Sequence, residues 1–241
     1  MKNILLKNCH IVDGTSSEMS DKTNVLIEDD RIKEIDSNLQ STSATVVDLE
    51  GKTLMPGLID CHVHVVAILA DLGAIGTLPD SYVTARSLIL MRNMLMRGFT
   101  TVRDVGGADH GLIRVTREAL FPTPRVLTSG KALSQTGGHC DFRGRYDTTP
   151  PLVSKIPLGD IGRICDGETE IRRAAREEIK GGADFIKIMA NGGCASPTDP
   201  IHYLGFSRQE LLAVVEEATN AGTYVAAHLY TDEAIRRCVE C

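Results

Sequence analysis

The sequence contains no run of apolar residues long enough to span a bilayer, which argues against a helical membrane protein. Near its start Lys2 and Lys7 enclose only Ile4-Leu5-Leu6, too short for the apolar core of a secretory signal. No basic block is present. Lys and Arg number 26 against 32 Asp and Glu, a net charge of −6. Nucleic-acid partners are therefore not expected, because neutralising phosphates needs clustered cations. There is no tandem repeat and no low-complexity segment. Seven cysteines, an odd number scattered along the chain, argue against a disulfide framework and for a reducing cytoplasm.

What is present is a globular composition, 42% hydrophobic and 24% charged over 241 residues. That length suits one large domain or one and a half smaller ones. From Asn3 to Val12 the chain alternates weakly and ends in the turn signal Asp13-Gly14. Asn24 to Glu28 and Arg31 to Ile35 read as a hairpin around Asp29-Asp30. Thr45 to Leu49 reads as a further strand before Glu50-Gly51. Residues 1–53 thus form a small all-β unit that could bury little apolar area alone.

From Thr53 the rhythm becomes strand, helix, strand, helix. Expected strands are the apolar stretch from Leu54 to His64, read as buried, then Phe99 to Val105, Arg125 to Ser129, Phe185 to Met189 and Tyr224 to His228. Expected helices are Asp80 to Arg97, Leu112 to Leu120, Glu168 to Lys180, Ser207 to Ala221 and a last one opening at Thr231. Ser207 with Glu210 makes a capping box. Between Lys131 and about Asp166 lies a long segment rich in glycine and proline, expected to be irregular and, at that length, functional or disordered.

The chemistry starts at the first of these strands. His62 and His64 are two residues apart, so on a strand they share a face and can chelate one metal ion. They end the string Met55-Pro56-Gly57-Leu58-Ile59-Asp60-Cys61-His62-Val63-His64. That string resembles the signature of the amidohydrolase superfamily of metal-dependent hydrolases. More narrowly, the chain from about Ile4 onward resembles the imidazolonepropionase-like branch that includes zinc-dependent Xaa-Pro and Xaa-Arg dipeptidases.

The resemblance implies an α/β fold, a (β/α)8 TIM barrel over residues 54–241 preceded by a β-sandwich portion over residues 1–53. About five of the eight strands such a barrel needs are visible here. The chain therefore reads as an N-terminal portion, and an open five-stranded α/β sheet is the competing architecture.

Three strands aim nitrogen groups at one end: His62 and His64, Lys187 between Ile186 and Ile188, and His228. A buried amine without a partner loses its proton readily. The resemblance implies that Lys187 takes up carbon dioxide as a carbamate that bridges two divalent ions, most simply zinc. It further implies that His62 and His64 ligate the more buried ion and His228 the more exposed one. A further metal histidine and the catalytic aspartate would lie beyond Cys241, so no catalytic acid/base is assigned here. Alternatives stay open: Lys187 as a surface residue or a Schiff-base lysine, and His228 as a core histidine. His10, His110 and His202 read as ordinary surface or packing residues.

The implied reaction is hydrolysis of an amide or related carbon–nitrogen bond by a hydroxide shared between two zinc ions. His139, after Thr136-Gly137-Gly138, and Tyr230 match positions that hold a substrate α-carboxylate in the dipeptidase branch. Small-molecule partners follow: Xaa-Pro or Xaa-Arg dipeptides, or N-acyl amino acids. Asp104 could orient a ligand or cap the turn at Gly106-Gly107. A ring-opening hydrolase of cyclic amides and a non-catalytic fragment are the competing functions. Homo-oligomerisation is left open. Residues 1–241 expressed alone should be aggregation-prone, and soluble, monodisperse, cooperatively unfolding material would count against that.

Overall fold

The computed structural model describes residues 3–152 and 155–241, so the first two residues of the expected β unit lie outside it. The chain divides into two compact units, Met1–Gly57 and Leu58–Cys241. The first contains β1 (Asn3–Ile11), β2 (Thr23–Glu28), β3 (Arg31–Ile35), β4 (Thr45–Asp48) and β5 (Thr53–Leu54). Its sheet order is β3-β2-β1-β4, with β5 also on β1. The β2–β3 hairpin is antiparallel, while β4 and β5 run parallel to β1. Leu5, Cys9 and Val25 are its buried apolar residues, whereas β3 and β4 are exposed throughout.

Thr53 and Leu54 pair with His10 and Ile11, so they close the β unit rather than opening the histidine strand. Pro56-Gly57 explains the break: proline brings no N–H to a ladder and glycine weakens a strand interior.

In the second unit the order is β6 (Leu58–Val63), α1 (Leu72–Ile75), α2 (Asp80–Met96), β7 (Phe99–Asp104), α3 (His110–Arg117) and β8 (Arg125–Thr128). It continues with β9 (Ala132–Ser134), β10 (Gly162–Ile164), α4 (Gly167–Gly181), β11 (Ile186–Met189), α5 (Arg208–Asn220), β12 (Val225–His228) and α6 (Asp232–Val239). This is a mixed α/β fold whose strands pair only in parallel, in two sheets ordered β6-β7-β8 and β10-β9-β11-β12. Both sheets are open among the described residues. Local chemistry matches the helices. The Ser207–Glu210 capping box opens α5, and Gly182, left-handed at φ +100°, closes α4.

Two expectations need correcting. The Lys131–Asp166 segment is not irregular throughout, because β9 and β10 lie within it. Each is three residues long, too short to carry a period, and each exists through tertiary pairing. The histidine strand is also not buried. Leu58 and Ile59 are 40% and 66% exposed, since β6 pairs with β7 alone.

The join between the sheets is Gly130. At φ +67° it bends the chain so that β8 stays on β7 while β9 turns to meet β11. A Cβ there would stand 2.0 Å from a carboxylate oxygen of buried Glu178, the oxygen that accepts the Lys131 N–H at 3.1 Å. Gly130→Ala should therefore lower stability by about 2–3 kcal/mol, combining left-handed backbone cost with displacement of that carboxylate. Denaturant unfolding of the variant checks this.

Candidate metal centre

The six side chains marked by the sequence line a single cavity of about 380 Å³ in the second unit: His62, His64, His139, Lys187, His228 and Tyr230. Parallel pairing explains the convergence. Lys187 faces Ala226 across β11 and β12, and Met189 faces His228, so both residues come from neighbouring strands at adjacent levels. His62 and His64 stand edge to face, ring centres 5.6 Å apart. His139 stacks flat on His228 at 4.2 Å, and Tyr230 meets His228 edge-on at 5.0 Å. His10, bonded to the Ser20 carbonyl, His110, 3.7 Å from Glu178, and His202, against Tyr203, line other surroundings.

All four β11 residues are buried, including Lys187, which is 3% exposed. Burial depresses its amine to about 8; the Cys140 thiol opposes this and Arg103 reinforces it. No carboxylate acts on it. Burial, then His139 and Lys187, pulls His228 down to about 4, with the Gly192 backbone opposing. His62 and His64 are also lowered, chiefly by burial. The lowering favours a lone pair over a charge on His62, His64 and His228, the state a metal needs.

Among the described residues, no three His, Cys, Asp or Glu side chains gather closely enough to form a metal site from those types alone. Lys187, not one of those types, lines the same cavity. His228 Nε2 is buried with no hydrogen-bond partner among the described residues, an orphaned polar atom that a ligand would satisfy. Two further neutral imidazoles and a buried, unpaired amine share its cavity. The donor set fits a divalent ion provided Lys187 supplies oxygen.

Several residues that hold the site escaped the sequence reading. Asn191, 1% exposed, donates to the Ile201 and Tyr203 carbonyls and accepts from the Tyr230 and Thr231 N–H groups at 2.7 and 2.9 Å. It therefore fixes the chain just beyond His228. Asp199 accepts from His139 Nδ1 and from the Gly193 N–H, both at 2.8 Å. Lys131 is 5% exposed and lies in a cradle of backbone carbonyls from Gly107, Pro157, Leu158 and Asp160. It ties the loop preceding Ile161, which lines the cavity, to the turn after β7. Asp104 is wholly buried, and burial raises it to about 7 against the pull of its backbone donors. It caps the turn at Gly106-Gly107, one of its two expected roles. Only the Asp104 turn contacts are local and legible; those of Asn191 with Tyr230, His139 with Asp199 and Lys131 with its carbonyls join segments far apart in the chain.

The depressed Lys187 amine has a measurable consequence. The folded metal-free protein binds fewer protons than the unfolded chain between about 8 and the ordinary value of 10.5, so Lys187 costs stability below 8 and the cost fades as pH rises through that window. Lys187→Met should gain up to about 3 kcal/mol over wild type at pH 7, with the gap closing towards pH 10.5. Paired denaturation curves at several pH values measure it.

The Amidohydrolase family pattern matches residues 53–240. Ochratoxinase from Aspergillus niger is 34% identical over 199 residues, covering 78% of this chain and 41% of its own. A dihydroorotase from Pediococcus pentosaceus is 39% identical over 168 residues, covering 67% of this chain and 34% of its own. Among solved structures, a prolidase complexed with N-methylphosphonate-L-proline superposes with a TM-score of 0.95 at 46% identity, covering 100% of this chain and 59% of that one. A Xaa-Pro dipeptidase with methionine bound in its active site gives 0.81 at 25% identity, covering 99% and 59%. The chain thus spans about two-fifths of the curated ochratoxinase and about three-fifths of these solved relatives. With its His-x-His strand and buried lysine inside the matched stretch, this protein belongs to the amidohydrolase family.

Proposed function

We propose that the protein is a metal-dependent hydrolase of amide carbon–nitrogen bonds, acting on dipeptides such as Xaa-Pro or Xaa-Arg or on N-acyl amino acids. The observation that carries this reading is Lys187, a buried amine that no carboxylate neutralises, in one cavity with three neutral imidazoles. The second unit is read as an arc of a (β/α)8 barrel whose remaining strands the relatives' extra length would supply. Free thiols at all seven cysteines suit a reducing cytoplasm.

His62, His64 and Lys187 would hold one divalent ion, zinc by the imidazole-rich donor set, and His228 with Lys187 would contribute to a second. Lys187 becomes an oxygen donor when its Nζ lone pair adds to the carbon of carbon dioxide and one proton leaves. The resulting carbamate carries a negative charge and two oxygens. When bound, such ions lower the pKa of water towards neutrality and polarise a carbonyl.

The chain's own groups set the substrate. Asp199 accepts from His139 Nδ1, so Nε2 can donate to an anion when it too carries a proton, and Tyr230 offers its phenol at 54% exposure against His228, the ring on which His139 stacks. Together they suit a carboxylate at the substrate's end. Leu72 and Phe142 give the cavity an apolar wall for the rest.

The test uses full-length protein with zinc, assayed on dipeptides, N-acyl amino acids and a cyclic amide. Activity on the first two should fall at least a thousandfold in His62→Ala and in Lys187→Ala, and 13C-bicarbonate should label wild type but not Lys187→Ala. Tyr230→Phe should raise KM about tenfold for free carboxylates and leave C-terminal amides unchanged. Full activity after zinc is stripped, or turnover of the cyclic amide alone, overturns the proposal.

A further inference from the structure

Among the described residues the His64 imidazole makes one hydrogen bond, from Nδ1 to the Gly106 carbonyl at 2.8 Å. A carbonyl can only accept, so Nδ1 carries the ring proton and a neutral ring keeps its lone pair on Nε2. Two contacts keep the Gly106 carbonyl in place: the Gly107 N–H of the same peptide donates to the Gly130 carbonyl at 2.9 Å, and one side chain holds the flanking N–H groups. One oxygen of the Asp104 carboxylate accepts from the Val65 N–H at 2.7 Å, and the other from Gly106 and Ala108 at 3.0 and 3.3 Å. Val65 directly follows His64, so the carboxylate grips both the segment bearing the imidazole and the turn that orients it.

The turn has little freedom of its own. Gly106 and Gly107 adopt φ +143° and +118°. A Cβ on Gly107 would stand 2.4 Å from the Val66 side chain, and one on Gly106 would stand 3.1 Å from the Ile161 carbonyl. The chain is threaded closely between two walls, and the carboxylate satisfies three buried N–H groups there that have no other acceptor in the sheet.

We propose that Asp104 is the positioning residue for His64: by gathering the N–H groups of Val65, Gly106 and Ala108 it presents the Gly106 carbonyl to Nδ1 and so leaves Nε2 free for a metal. The inference rests on the metal-site reading only for what Nε2 does, not for which nitrogen is protonated. Asparagine at 104 keeps the shape but turns one acceptor oxygen into a donor facing an N–H, so the grip on one side is lost.

The experiment is long-range 1H–15N NMR of histidine-labelled, metal-free, full-length protein, followed by zinc titration. Wild type should show His64 protonated at Nδ1 alone. Asp104→Asn should show mixed His64 tautomers and bind the first zinc ten- to a hundredfold more weakly. Asp184→Asn is the control, because Asp184 likewise accepts a backbone N–H, that of Thr128 at 2.8 Å, but at a distance from the cavity. It should destabilise without altering the His64 tautomer or zinc affinity. Asp104→Asn with an unchanged tautomer and unchanged zinc binding overturns the proposal. So does wild-type His64 protonated at Nε2, a result that needs no variant to fold. A correct tautomer in a wild-type protein that binds no zinc would instead overturn the metal reading and leave the positioning role standing.

Discussion

A buried amine with no counter-charge is the constraint around which the second unit is arranged. Lys187 occupies the middle of a strand whose four residues are all buried, and no carboxylate acts on it. Such a group is tolerated in a fold that can unload its proton or modify it. Burial works in the same direction on His62, His64 and His228. The cavity is therefore a place where protons on nitrogen are disfavoured, and the strands are spaced so that these groups open on one volume.

The surrounding carboxylates and amides act at one remove. Asp104 manages the loop beside His64, Asp199 holds His139, and Asn191 joins the chain beyond His228 to the loop after β11. Each is a buried polar group that is costly if left unsatisfied, so each fixes its neighbours. Asp104 and Asn191 are bonded through both of their polar side-chain atoms, whereas Asp199 Oδ1 and His228 Nε2 stay without a partner among the described residues.

Much of this was legible in the sequence, and the reasons are local. The His62-Val63-His64 spacing is a strand period, the Phe185–Met189 run exposes its lysine as an anomaly, and Ser207 with Glu210 announces a helix start. The stretches that eluded reading depend on distant partners. β9 and β10 are three residues each and pair with one another across an intervening loop, which no window of residues can reveal. The exposure of β6 depends on how many neighbours it has, not on its apolar composition. Asp104 could be read as a turn cap or a ligand holder, and only the position of the Val65 N–H separates the two.

The cradle around Lys131 differs in kind from the ion pairs elsewhere in the chain. Its ammonium touches four peptide oxygens directly, while the carboxylates of Asp160, Asp109, Asp104 and Glu178 act on it only through space. Dissolved ions compete well with mobile, exposed pairs and poorly with fixed dipoles packed out of water. This side of the cavity should thus keep its shape in brine, where the exposed Arg114–Glu118 bridge would have loosened.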